Sequence, residues 1–368
     1  MSGLSHPKRI GPYAVERRLG AGGMGEVYLA YSVAGDPVAV KVIRPERTNA
    51  HSRARFEREA AIARTLTGTG RVARFIDADP TADLPWLATD YVPGRSVYDT
   101  VDHGEPLSVL HVASLGALLA EGLAAVHAVG LVHRDLTAKN VMMGDFGPVI
   151  IDFGLGAFVG AEKGSMSQDG TILGTVAYIP PEQALGVTDV TPAADVYGLG
   201  TVLLYAATGH APYSGASWPA VAAQVSNPEV APDLSGLPGE LAAVVTPMLA
   251  HKPVDRPPLA HVTRQCADLL RRMGTSPARA RRSLIEQTTP KDHPTMVLPQ
   301  PDAHMLDRLD ELDRQLREES EPKPPVVEEP AVPVPASPGR GRPPASRRVA
   351  GELRERYAAR RELAWSSR

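Results

Sequence analysis

Cysteine is nearly absent. Cys266 is the only one in 368 residues, so no disulfide can form within the chain, and a reducing compartment is its simplest home. A signal core is missing too, since the first residues, MSGLSHPKRIGPY, hold no apolar run. Nor does an apolar stretch of bilayer-spanning length stand out; the longest, Val196 to Thr208, is short and contains Gly198 and Gly200. The expectation is a soluble, cytoplasmic chain without a transmembrane segment. Charge of one sign is also lacking. A formal net charge of −3 supplies no field to draw nucleic acid, and none is expected as a partner. What remains is a 43% hydrophobic share, enough for a core, and length for one large or two ordinary domains plus a tail.

The chain is organised around Leu131 to Gly154, LVHRDLTAKNVMMGDFGPVIIDFG. It holds two carboxylates, Asp135 and Asp152, and a carboxamide, Asn140. Asp135 and Asn140 lie five apart in a loop entered from an apolar helix. Asp152 follows Val149-Ile150-Ile151 and stands at a strand end. Phosphoryl transfer asks for this set: an acceptor for a hydroxyl proton and hard oxygen ligands for Mg²⁺ on nucleotide phosphates.

Upstream, Tyr13 to Ala30 alternates apolar residues around a glycine cluster, which predicts a hairpin turning at Gly20 to Gly25. Glycines there let backbone N–H groups approach phosphate oxygens where a side chain would clash, though glycine turns often only turn. The segment after them, Val27 to Tyr31, predicts a strand, which excludes a dinucleotide-binding βα turn. Lys41 interrupts the apolar strand Val38 to Ile43, a place where lysine often guards a sheet edge. His51 to Leu66 predicts a charged helix with Phe56, Ala60, Ala63 and Leu66 on one face. Ser108 to Gly130 predicts a second helix, capped by Ser108 and stopped by Gly130.

Taken in order, these motifs resemble a eukaryotic-type protein kinase, and the GGMGEVY and ADVYGLG wording resembles the bacterial serine/threonine (Hanks-type) branch. The resemblance covers residues 10 to 272 and implies an α+β, two-lobed fold. Its β-rich N-lobe would span 10–91 and its mainly helical C-lobe 94–272, followed by a largely disordered tail, 273–368. It implies ATP and Mg²⁺ (or Mn²⁺) as cofactors and protein hydroxyls as acceptors. Asp135 would orient the acceptor hydroxyl, and Asn140 and Asp152 would hold the metal. Lys41 would hold the α- and β-phosphates, paired with Glu59 or alternatively Glu57. The nucleotide would lie under Leu19, Gly20, Ala21, Gly22, Gly23, Met24 and Gly25. Val27, Ala39 and Met142 would sandwich the adenine, Asp90 and Val92 would meet its edge by backbone groups, and Thr89 would stand at the back of the pocket.

Further features follow from the same resemblance. Arg134 implies a switch by activation-loop phosphorylation, with Thr171 the first candidate and Ser167 and Ser165 next; Thr175 would contact Asp135. Glu182, in Pro180-Pro181-Glu182, would pair with Arg256, and Asp195 would hold the backbone of the catalytic loop. One position departs from the family pattern: Thr137 stands where serine/threonine kinases carry a lysine. Lys139 could serve the same phosphate, leaving an ATP-binding pseudokinase scaffold as the alternative. A transient dimer would allow activation-loop phosphorylation between copies.

The tail differs in material. Between Pro290 and Ala345 there are 13 prolines in 56 residues, too many for a packed core. Met305, Leu309, Leu312 and Leu316 follow a 4-3-4 spacing that predicts a short amphipathic helix over 302–319, transient or stabilised by a partner. A second island, 347–363, reads as a solvated helix. Thr289 and Thr295 have the spacing favoured by forkhead-associated, phosphothreonine-reading partners.

Overall fold

A computed structural model describes residues 7–22, 25–43, 50–65, 70–152, 178–187, 189–288 and 301–320. Its first part is a six-stranded antiparallel sheet of order β1-β2-β3-β4-β6-β5, with β1 Arg9–Ile10, β2 Tyr13–Gly22, β3 Gly25–Tyr31, β4 Pro37–Ile43, β5 Phe75–Asp79 and β6 Trp86–Asp90. Alternation along these strands sorts their side chains by face. Tyr13, Val15, Tyr28, Ala30, Val38, Val40, Trp86 and Ala88 form one buried cluster. On the other face Ile43 and Leu87 pack against Phe56 and Ala60 of helix α1, Ala50–Ala63. β4 lies between β3 and β6, so Lys41 is on an interior strand and guards no edge.

The second part is mainly helical. Its centre is α3, Val109–Ala128, capped by Ser108, which accepts from the His111 amide. Around α3 pack the helices Ala193–Thr208, Gly239–Met248, Leu259–Arg272 and Pro277–Thr288 in one large apolar cluster. A small sheet, β7 Arg95–Ser96, β8 Val141–Gly144 and β9 Gly147–Ile150, lies at the cleft side, with α2, Val97–Asp102, following β7. Among the described residues α3 alone is long and apolar enough to cross a membrane by length and composition, and more than half of it is buried in this core. It exceeds Val196–Thr208, which reads as the longest apolar stretch only if Glu121 is allowed to break the run.

Packing continues past residue 272. The helix Pro277–Thr288 buries Ala280 and Leu284, and its Ser283 lies 2.9 Å from His111 Nε2 on α3. The predicted amphipathic helix exists as Ala303–Ser320, and it is neither a coiled coil nor free. Met305, Leu309 and Leu312 are buried against Ala14 and Tyr31 of the sheet, with Leu316 at the margin. An isolated helix of this length is marginal in water. Burial of the three side chains supplies up to about 1.5–3 kcal/mol each. Residues 289–300 and 321–368, with Thr289, Thr295 and the 347–363 island, lie outside the described residues.

Candidate active site

The loop after α3 is built from backbone groups tied to one buried carboxylate. Asp195, 1% exposed, accepts from the amides of His133 and Arg134 at 2.8 Å each, and from His127 Nε2 at 2.7 Å. His133 is fully buried, and its Nδ1 accepts from the Asp135 amide at 3.3 Å. That acceptor role leaves Nε2 to donate, and it does so to the carbonyl of Ile151 at 3.0 Å. A single imidazole thus ties the residue before Asp152 to the backbone of Asp135. Asn140 adds a second tie. Its Nδ2 donates to the Asp135 carbonyl at 2.8 Å, and its own carbonyl accepts from Ile151 at 2.9 Å.

Two non-glycine residues here take left-handed backbone conformations, Arg134 at φ 67° and Asp152 at φ 59°. Such strain persists only where surroundings over-determine it, and it concentrates at functional sites. Lys41 reaches down from β4 to Asp152, Nζ to Oδ2 at 3.0 Å, with 11% of the lysine side chain exposed. Burial pushes the Asp135 carboxyl above its ordinary range, with Asp152 adding to that; His133, Lys41 and the Asn140 hydrogen bond pull the other way without cancelling it.

The expected nucleotide residues fall on one side of the cleft. Val27, Ala39 and Met142 are half-buried although Leu29, Val38 and Val40 beside them are sealed. They form an open apolar surface within a closed sheet. Leu19 to Gly22 are exposed, and a Cβ at Gly20 or Gly22 would meet nothing within 4 Å. Packing therefore does not require glycine at those two positions. Gly25 is different: a Cβ would sit 1.9 Å from the Val42 carbonyl oxygen. Gly23 and Met24 lie outside the described residues. Thr89 and Asp90 end β6, where the Asp90 carboxylate meets Arg74 at 3.2 Å and its amide donates to the Arg74 carbonyl at 2.9 Å.

Other expected residues land differently. Lys41 pairs with Asp152, while the side chain of Glu59 lies outside the described ones. So do Ser165, Ser167, Thr171 and Thr175. Lys139, expected near the transferring phosphate, rests its ammonium 4.6 Å above the Tyr98 ring of α2. That ring stacks on Tyr205 at 5.3 Å and 10°. A cation over an aromatic face is held by the ring quadrupole. Thr137 is buried, and its carbonyl accepts from the Asn140 amide.

The Glu182–Arg256 pair forms as two hydrogen bonds of 2.7 Å, with the arginine side chain fully buried, over the Tyr197 ring. Three supporting residues escaped the motif reading. His127 offers no signal beyond a lone histidine at a helix end. Gln183, which donates to the Arg134 carbonyl at 3.1 Å, only follows a motif. Gly198 did carry a signal, since glycine inside a buried helix is costly unless something approaches closely. A Cβ there would lie 3.0 Å from both Cβ and the carbonyl oxygen of Leu136.

Asn140 and Asp152 fit a hard divalent cation by their chemistry. They offer one amide and one carboxylate oxygen on neighbouring backbone, and such a cation bound to phosphates takes few protein ligands. Among the described residues no cluster of three or more His, Cys, Asp or Glu forms a self-sufficient metal cage. The donor set suits a metal that arrives with a nucleotide.

Comparisons with known proteins point one way. The protein kinase domain family matches residues 13–288. The chain is 46% identical over 260 residues to the probable serine/threonine-protein kinase PkwA of Thermomonospora curvata, covering 70% of this chain and 34% of that protein. It is 42% identical over 262 residues to serine/threonine-protein kinase AfsK of Streptomyces coelicolor, covering 71% and 32%. The chain thus spans about a third of the length of these relatives. The crystal structure of the PknI kinase domain of Mycobacterium tuberculosis superposes with a TM-score of 0.55 at 27% identity, covering 72% of this chain and all of that one.

Proposed function

Because the chain belongs to the protein kinase domain family, we propose that it transfers the γ-phosphoryl group of ATP to serine and threonine hydroxyls of proteins, its own activation loop included. The observation that carries the reading is the joining of Asp135, Asn140 and Asp152 by His133 and one backbone hydrogen bond, with Lys41 closing on Asp152 from the opposite lobe. Phosphoryl transfer asks little covalent chemistry of a protein and much positioning. Asp135 orients the acceptor hydroxyl and takes its proton. Lys41 and the backbone amides of the exposed glycine hairpin hold the phosphates. Val27, Ala39 and Met142 bracket the base, and Asp90 and Val92 offer backbone groups to its edge. Asn140 and Asp152 would hold Mg²⁺ or Mn²⁺, which supplies charge neutralisation on the phosphates.

In this reading Glu59 or Glu57 competes with Asp152 for Lys41 once nucleotide is bound. Lys139, held over Tyr98, keeps a cation on the acceptor side of the loop. Phosphorylation at Thr171, Ser167 or Ser165 would engage Arg134, and phosphorylated Thr289 or Thr295 would suit a forkhead-associated partner. The single buried cysteine supports a cytoplasmic setting.

The scaffold alternative draws on Thr137 and on the long tail. The test is phosphosite mapping of the full chain incubated with Mg·ATP, beside Asp135→Asn and Lys41→Ala. Transfer should fall by roughly 10²–10⁴-fold in Asp135→Asn, the range for losing one positioned acid–base group. Mg·ATP binding with no phosphate incorporated by the unmodified chain would leave the scaffold reading in its place.

A further inference from the structure

The helix Ala303–Ser320 grips one end of the glycine hairpin. Ala14 and Tyr31 face each other across β2 and β3, at the end away from the glycines. Met305, Leu309 and Leu312 close over that pair, and all five side chains are less than a tenth exposed. Polar contacts set the direction of the helix. Arg308 donates to the Lys8 carbonyl at 2.6 Å, and Arg9 meets Glu319 through two bonds of 3.0 Å. The Tyr31 hydroxyl donates to Glu16 at 2.6 Å, which carries the grip further along β2.

Among the described residues no helix covers the other end of β2, whose strand pairing there is to β3 alone. Arg17 to Gly22 are exposed, and open space surrounds Gly20 and Gly22. Tyr31 and Val27 share a face of β3 because strand side chains alternate, and they lie about 13 Å apart along it. The clamped end and the nucleotide-facing end are therefore two stations on one sheet face. β3 is paired with β4 along its whole length, but beyond Ala14 the outer strand β2 has β3 as its one strand neighbour among the described residues, so its path to the glycines depends on how its root is held.

We propose that the helix Ala303–Ser320 is a positioning element of the nucleotide site. It fixes the root of the glycine hairpin through Met305, Leu309 and Leu312, so that the tip stays over the cleft. The identity of the ligand, ATP, rests on the kinase reading above; the clamp itself does not.

The test uses the full chain with Leu309→Glu/Leu312→Glu, the milder Leu309→Ala/Leu312→Ala, and Leu306→Glu on the exposed side of the helix as control. Hydrogen exchange at Ala14 and Tyr31 reports undocking without reference to activity. Titration with a fluorescent ATP analogue and Mg²⁺ gives the dissociation constant. Both double variants should lose protection at the hairpin root and weaken nucleotide binding by about fivefold to tenfold, as expected if the competent hairpin population falls to between a tenth and a fifth. KM for ATP should rise alongside while kcat stays within about twofold, since the helix touches no reacting group. Leu306→Glu should match the unmodified protein, and a peptide of residues 301–320 added in trans should restore binding to the double variants.

Lost protection with unchanged nucleotide affinity would reduce the helix to a cover and overturn the proposal. Retained protection in the glutamate variant would overturn the docking face itself. A chain that binds the analogue but transfers no phosphate would sink the kinase reading alone.

Discussion

The catalytic loop and the glycine hairpin face the same cleft and are held in opposite ways. The loop carries strained backbone at Arg134 and Asp152, and every strained residue has polar neighbours fixing it: Asp195 above, His133 between, Asn140 across. Among the described residues of the hairpin, Arg17 to Gly22 are exposed. The hairpin's order comes from strand pairing to β4 and from apolar packing at the root, part of it supplied by a helix some three hundred residues later in the chain. The difference matches the two tasks proposed for them. A proton acceptor must be placed to within fractions of an ångström. A phosphate cover must open for nucleotide exchange, and a support that acts at a distance permits that.

The largest expected effect tests the loop. Asp195→Ala would leave two backbone N–H groups and His127 without their buried acceptor. The expected cost is about 3–5 kcal/mol, the range for removing one partner from a buried charged network. Denaturant unfolding measures it, and transfer activity should fall with it. A cost under about 1 kcal/mol would mean that the loop is held by something else. Arg256 allows a sharper version. Arg256→Met alone should cost about as much, while Arg256→Met with Glu182→Leu should recover a good part of the loss, because a buried pair replaced together leaves no orphan charge.

The hairpin should behave in the contrary way, and two of its own glycines show how. Gly25→Ala puts a methyl 1.9 Å from the Val42 carbonyl oxygen and should destabilise the fold by roughly 1–3 kcal/mol, the usual cost of overpacking. Gly20→Ala meets nothing. Its melting curve should shift by less than about 0.5 kcal/mol, as for a surface change. Its nucleotide affinity should still drop, since the methyl would stand where a phosphate oxygen approaches the backbone. Equal melting curves with equal affinities would remove the phosphate-cover role from this turn.

The same contrast explains what could be read from the sequence. The loop was legible because polar residues at fixed spacing mark it: Asp195 holds the loop backbone and Glu182 pairs with Arg256 as the sequence suggested, and Asp135, Asn140 and Asp152 come together around His133. The contact of Lys139 with Tyr98 was not legible, because it depends on a residue of another element with no motif around it. The 4-3-4 stripe of the C-terminal helix was visible, but its docking site was not. Two side chains on two strands, Ala14 and Tyr31, look like any sheet residues, and alternation says which face they share but not what covers it. His127 was out of reach for a related reason: one histidine at the end of an apolar helix has many ordinary explanations.

The smallest effect probes the rigid platform beneath the loop. Cys266 is 1% exposed on the helix Leu259–Arg272, and a Cβ at Gly116 on α3 would lie 3.0 Å from its Sγ. Burial pushes its thiol from 9.0 up to about 12. At pH 8 the native thiolate fraction should be about a thousandfold below that of an ordinary cysteine, and labelling by a thiol reagent correspondingly slow. Between the unfolded and native pKa values the unfolded chain gives up this proton and the native chain keeps it. The contribution to stability is therefore complete below pH 9 and declines above it. Tyrosines and lysines titrate in the same window, so the informative quantity is the difference from Cys266→Ala, whose stability should fall less steeply above pH 9. One equivalent of label should enter on denaturation and almost none before it. Fast native labelling would mean that the helices under the catalytic loop open as readily as the hairpin above it, and the contrast between the two regions would be lost.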